Sequence, residues 1–133
     1  MVFMEWSDEL SVKVKEIDEQ HKELIEIINQ AHKINMGEDK KKGNEILNKL
    51  IEFTRVHFTT EEKYFKKCKY PKSEEHIVEH VELIEKVLKF KRDYEIGKCN
   101  CEEFLGFLKD WLENHLKVMD MKYVDNFQKC GLK

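Results

Sequence analysis

Four stretches in which apolar side chains recur at three- and four-residue steps limit what this chain can fold into. In the first, Leu24, Ile25, Ile28 and Ala31 share a stripe with His21, and Gly37 is the expected stop. The second starts near Lys40 to Asn44, where the Lys40-Lys41-Lys42 cluster reads as a loop or a helix start rather than a binding patch, and carries Leu47, Leu50, Ile51, Thr54, His57, Phe58, Glu61, Tyr64 and Phe65 before Pro71 breaks it. The third carries His76, Ile77, His80, Ile84, Val87, Leu88 and Tyr94 and ends at Gly97. The fourth carries Phe104, Leu105, Leu108, Trp111, Leu112, His115, Met119 and Tyr123 and closes at Gly131. This period is that of amphipathic helices, expected over about 18–36, 41–68, 73–95 and 101–129. Asp18, Ser73 and Asn100 are the expected N-caps, the last with Glu103 as a capping box. Residues 1–17 read as an irregular N-terminal arm, with Phe3, Trp6, Leu10, Val12, Val14 and Ile17 packed over the core.

Short connections make successive helices antiparallel. The expected fold is all-α: an up-down-up-down antiparallel four-helix bundle, with residues 1–133 as one domain. Only 5 glycines and 1 proline, against 38% charged residues, argue against a many-turned β fold. The net charge of -3 and the mixing of Lys13, Lys15 and Lys22 with Glu16, Glu19 and Glu23 leave no basic stripe, so no nucleic-acid partner is expected. No segment is long and apolar enough to span a bilayer, and the first residues lack a basic and apolar leader, so a cytoplasmic location is expected. In that compartment Cys68, Cys99, Cys101 and Cys130 are expected to stay thiols. Cys99-Asn100-Cys101 could hold a soft metal or be redox-active, but small residues at a helix start explain it more simply.

The apolar stripes also carry polar residues that a core does not ordinarily admit. His57 and Glu61, and His76 and His80, are four residues apart and so share a helix face. His21 and His115 lie on the other two stripes. Antiparallel packing brings the start of the first helix, the end of the second, the start of the third and the later half of the fourth to one level. Glu61 and Asp120 facing the core call for a positive partner, and no Lys or Arg lies on these stripes. A bound cation is the nearest candidate. Seven ligands exceed the four of a structural zinc site and suit two ions. Asp120 is about 140° round a regular helix from His115. A π-type bulge near Met119, or a broad two-metal site, would bring it in. His32 lies about 16 Å further along the axis than His21 and is read as structural or solvent-facing.

Trp6, Ile17-Asp18-Glu19-Gln20-His21, His57-Phe58-x-x-Glu61-Glu62, Tyr70-Pro71, His76-x3-His80 and Trp111-Leu112-x-x-His115-x4-Asp120 together resemble the hemerythrin family, in its single-domain bacterial type. The resemblance implies a non-haem centre of two iron ions, cycling between Fe2+ and Fe3+ with an oxo or hydroxo bridge, that binds O2 reversibly. It implies that His76, His80 and His115 hold one iron. His21 and His57 would hold the other, which keeps a position open for O2, and Glu61 and Asp120 would bridge the two. Phe58, Leu112 and Leu116 are expected to wall the O2 pocket, and Tyr123 to give a polar contact behind the ligands. The expected role is O2 storage, delivery or sensing rather than catalysis. A scavenger or enzyme acting on nitric oxide or peroxide, or an iron-dependent sensor module, are the alternatives on the same scaffold.

Overall fold

The computed structural model describes residues 3–34, 36 and 38–133. Its helices are α1 (Lys15–Lys33), α2 (Lys40–Lys67), α3 (Ser73–Glu95), α4 (Cys101–Asn114) and a short α5 (Val124–Lys129). A π turn (His115–Met119) and a 3-10 turn (Asp120–Tyr123) join α4 to α5, so these pieces act as one bent fourth helix. The result is the all-α four-helix bundle. The expected stop at Gly37 lies outside the described residues.

Local chemistry sets most of the helix ends. The Asp39 carboxylate accepts from Lys42 N, and Asn100 Oδ1 accepts from Glu103 N; both are N-caps. Gly97 and Gly131 have φ of 76° and 91°, the left-handed conformation that ends helices. Two expected caps fall elsewhere. Helix α1 already runs from Lys15, because the Asp18 N–H bonds the Val14 carbonyl as an ordinary helical residue. The Asp18 side chain instead accepts from Val12 N and Ser11 Oγ and ties down the arm. Ser73 is the first residue of α3, which has no side-chain cap. The arm also carries a 3-10 turn (Asp8–Leu10) and buries Met4, Leu10, Val12 and Val14.

Two apolar layers fill the bundle. The larger holds Leu24, Ile28, Leu50, Phe58, Leu83, Leu108, Leu112 and Leu116. The smaller holds Val12, Val14, Ile17, Phe65, Tyr70, Tyr123 and Phe127. On every helix the seven candidate ligands fall between residues of the first layer and residues of the second, so the histidines occupy a polar storey inside a dry core. At the far end, Gly43 meets Tyr94, whose hydroxyl donates to the Met36 carbonyl at 2.6 Å. A Cβ on residue 43 would lie 1.8 Å from that hydroxyl, which accounts for glycine there.

The cysteines do not all remain thiols. Cys68 and Cys130 form a disulfide, with Cα atoms 5.5 Å apart. They follow α2 and α5, whose C-terminal ends meet because the second and fourth helices run the same way. Asn126 Nδ2 donates to the Cys68 carbonyl across the same junction. No helix among the described residues is long and apolar enough to cross a membrane.

Candidate metal centre

All seven sequence-derived ligands converge in the polar storey, and each is buried: His21, His57, Glu61, His76, His80, His115 and Asp120. They form two groups whose ligand atoms lie within 4.8 Å of one another. One is Glu61, His76, His80 and His115; the other is His21, His57, Glu61 and Asp120. Glu61 belongs to both. Its Oε1 lies 3.1 Å from His80 Nε2, 3.4 Å from His57 Nε2 and 3.9 Å from His76 Nε2. Asp120 also faces both sides. Its Oδ1 is 3.0 Å from His76 Nε2 and 3.1 Å from His115 Nε2, and its Oδ2 is 3.1 Å from His21 Nε2.

The phase problem of Asp120 is solved by the backbone. From His115 to Met119 the helix widens into a π turn, and the five-residue step then brings both side chains to the same storey. Such turns are frequent at functional sites, and this one sits between two candidate ligands.

Several of these buried atoms make no hydrogen bond despite their closeness: both ring nitrogens of His21, Glu61 Oε1, His80 Nε2 and both Asp120 oxygens. Leaving a buried polar atom unpaired costs about 1–3 kcal/mol. Lone pairs that converge without pairing are what a cation requires, and five imidazoles with two carboxylates suit a divalent transition metal. The residues fit a metal ion.

Groups behind the ligands fix their orientation. Gln20 Oε1 lies 2.7 Å from His57 Nδ1, while the Gln20 amide donates to Thr60 Oγ1. The amide oxygen can only accept, so His57 carries its proton on Nδ1 and turns a bare Nε2 inward. Glu79 accepts from His115 Nδ1 at 2.9 Å and Glu62 from His80 Nδ1 at 3.1 Å. Tyr123, fully buried, donates to Glu61 Oε2 at 2.6 Å, the polar contact expected of it. Burial, followed by Asp120 and Glu61, pushes its phenol well above the usual range, so it keeps its proton. Periodicity does not single out Gln20, Glu62 or Glu79. Gln20 and Glu62 stand beside the candidate ligands His21 and Glu61 in sequence; Glu79 carries no local signal at all.

Electrostatics divide the histidines. Burial holds His57 down to about 3, so it is a neutral imidazole. Burial works against charge on His115 too, but Asp120 and Glu79 overcome it and push that ring up to about 10. His80 is also raised, against its burial, by Glu61 and Glu62. Burial opposes ionisation of both carboxylates, and the Asp120 charge also opposes that of Glu61, yet the surrounding imidazoles bring Glu61 down to about 2 and Asp120 well below its ordinary value.

Above the histidines lies an apolar cavity of about 20 Å³, walled by Leu24, Thr54, Phe58, Leu83, Trp111 and Leu112 among others. A void of this size admits a molecule no larger than water or a diatomic gas. Phe58 stacks on His80 with centroids 3.6 Å apart, and Trp111 stacks on His115 at 4.4 Å. Of the three expected walls, Phe58 and Leu112 line this cavity. Leu116 is fully buried in the same apolar layer but does not line it. Trp111, which the apolar stripe alone marks as core, lines the cavity as well. His32 is exposed and stacks on Phe3 at 4.2 Å, well away from the centre's ligand groups.

A four-helix bundle that sets two histidine–carboxylate groups around one shared glutamate is a metal-binding protein of the all-helical class. The family model described as "Hemerythrin HHE cation binding domain" matches residues 12–126, and the chain belongs to the hemerythrin family. Bacteriohemerythrin from Clostridium acetobutylicum is 33% identical, covering 90% of this chain and 98% of its own. That from Pseudomonas aeruginosa is 31% identical over 125 residues, covering 94% and 82%. A solved wild-type hemerythrin superposes with a TM-score of 0.88 at 25% identity, covering 94% of this chain and 98% of its own.

Proposed function

We propose that the chain binds O2 reversibly at a centre of two iron ions. In this reading His76, His80 and His115 would hold one ion and His21 and His57 the other, Glu61 and Asp120 would serve both, and an oxo or hydroxo group would complete the centre. The observation that carries it is the split of seven buried ligands into a three-imidazole and a two-imidazole group around Glu61 and Asp120. The unequal split leaves one ion a free position. Bound iron would supply the electrons that O2 takes up and returns.

The chain's own residues favour return over further reaction. Phe58, Trp111 and Leu112 present hydrocarbon to the cavity and exclude water, and proton delivery with it. Leu116 fills the layer behind His115. Tyr123 takes up one lone pair of Glu61 Oε2 and leaves the others available. The cavity offers no acid or base beyond the Thr54 hydroxyl, so we infer a binding protein rather than an enzyme.

An iron count, with absorption spectra of the reduced protein before and after O2 is added and again after it is removed, tests this. Two irons per chain and a near-ultraviolet band that comes and goes with O2 are expected. One metal per chain, or steady turnover of peroxide or nitric oxide, would overturn the assignment.

A further inference from the structure

The two remaining cysteines lie far from the metal centre. Along α4, Cys101 precedes His115 by about 21 Å of helix rise, and Cys130 lies roughly 40 Å beyond Cys101. Neither iron chemistry nor exchange with the existing disulfide reaches them. Their geometry comes from the cap. Asn100 holds φ -108° and ψ 94° as N-cap of α4, an extended conformation. Residues on either side of an extended residue project to the same face. The sulfurs of Cys99 and Cys101 accordingly meet at 3.0 Å, and both are half-buried against the larger apolar layer. Closing to a bond requires the sulfurs to approach by about 1 Å.

The surroundings distinguish the two thiols. An open groove of about 300 Å³ between the end of α3 and the start of α4 reaches Cys99 but not Cys101. Lys86, Lys89 and Lys98 line it, together with Asp93 and Glu103, and Phe90 and Phe107 form its apolar floor. The three lysines are exposed. Burial, followed by the hydrogen bond with Cys99, pushes the Cys101 thiol up to about 12, so Cys101 stays protonated until a neighbouring sulfur engages it.

We propose that Cys99 and Cys101 are a second reactive site, a dithiol that reduces small anionic disulfides taken up in the lysine-lined groove. Cys99 gives up its proton and its thiolate attacks one sulfur of the substrate disulfide; a Cys99–substrate bond forms, the substrate S–S bond breaks, and the first small thiol leaves with that proton. Cys101 then attacks Cys99 Sγ, giving up its proton. The Cys99–Cys101 bond forms, the Cys99–substrate bond breaks, and the second small thiol leaves with the Cys101 proton. Two electrons and two protons pass from the cysteine pair to the substrate.

The test treats the intact protein with oxidised glutathione, alkylates it without reductant, and weighs the peptide that contains residues 99–101. Joint loss of both alkylation sites, with the peptide lighter by two hydrogens and free of glutathione, is expected. Cys101→Ser should instead retain glutathione on Cys99. Cystamine, a cationic disulfide of similar size, should react more slowly than glutathione disulfide. Alkylation of both cysteines at every ratio of oxidised to reduced glutathione would overturn the site, as would a glutathione adduct that persists in the unmutated protein. Equal rates with cystamine would overturn the substrate class.

Discussion

The imidazole of His57 can offer Nε2 to a cation only if its proton sits on Nδ1, and Gln20 imposes that choice. The Thr60 hydroxyl holds the Gln20 amide so that its oxygen, not its nitrogen, meets the ring. Gln20→Leu removes the acceptor and leaves the His57 N–H unpaired in a buried place. Metal affinity at the two-histidine group should fall by roughly 10–100-fold, with the three-histidine group less affected. Stepwise metal titration by calorimetry reads this directly; two unchanged binding steps would remove Gln20 from the design. Six of the seven candidate ligands were legible in the sequence because each lies on an apolar stripe, where a polar residue needs a reason; Asp120 was legible through its spacing from His115. Gln20, Glu62 and Glu79 were not. They lie on half-exposed faces among many similar residues, and only the distance across a helix pair reveals their partners.

Helix boundaries show which local rules held. Asp39 and Asn100 each satisfy one backbone N–H at the start of a long helix. Asp39→Ala and Asn100→Ala should each cost about 1 kcal/mol in unfolding free energy, readable in urea midpoints. A loss under about 0.3 kcal/mol would show that tertiary packing alone sets those ends. Only Asn100 was expected as a cap. The sequence also pointed to Asp18, whose chemistry is right, but the three residues before it accept helical geometry and its carboxylate found the arm instead. The π turn was readable as a conflict of phase between His115 and Asp120. What the conflict could not show was its extent: a π turn, a 3-10 turn and then α5 over His115–Lys129, where the sequence suggested one continuous helix.

For the whole molecule, the polar storey between two apolar layers makes metal uptake a proton-linked event. His115 is held up to about 10, so it carries a proton at neutral pH when no cation competes, and a cation must displace it; His80 is shifted in the same direction by Glu61 and Glu62. Affinity should therefore fall as the pH falls, by about tenfold per unit for each proton released. Glu61 and Asp120, both shifted down, stay ionised through this range and do not reverse the sign. Metal titrations between pH 8 and 5, in buffers of different ionisation enthalpy, would reveal the released protons; a flat profile would exclude them. The closure of the bundle rests on a bond the sequence did not disclose, since Cys68 and Cys130 lie 62 residues apart and only the parallel course of the second and fourth helices joins them. Helix α5 has 6 residues, too few to persist alone. Buried Phe127 and this disulfide dock it against the layer that holds Tyr123, and through Tyr123 against Glu61. A native disulfide is typically worth roughly 2–4 kcal/mol, and a loop this long places it at the upper end. Reduction, or Cys130→Ala, should lower the unfolding free energy by that amount, read from the shift of the urea midpoint. Amide exchange should rise first over residues 124–129 and only later in α1 to α3. Equal midpoints and equal exchange in the oxidised and reduced protein would mean that packing alone closes this end.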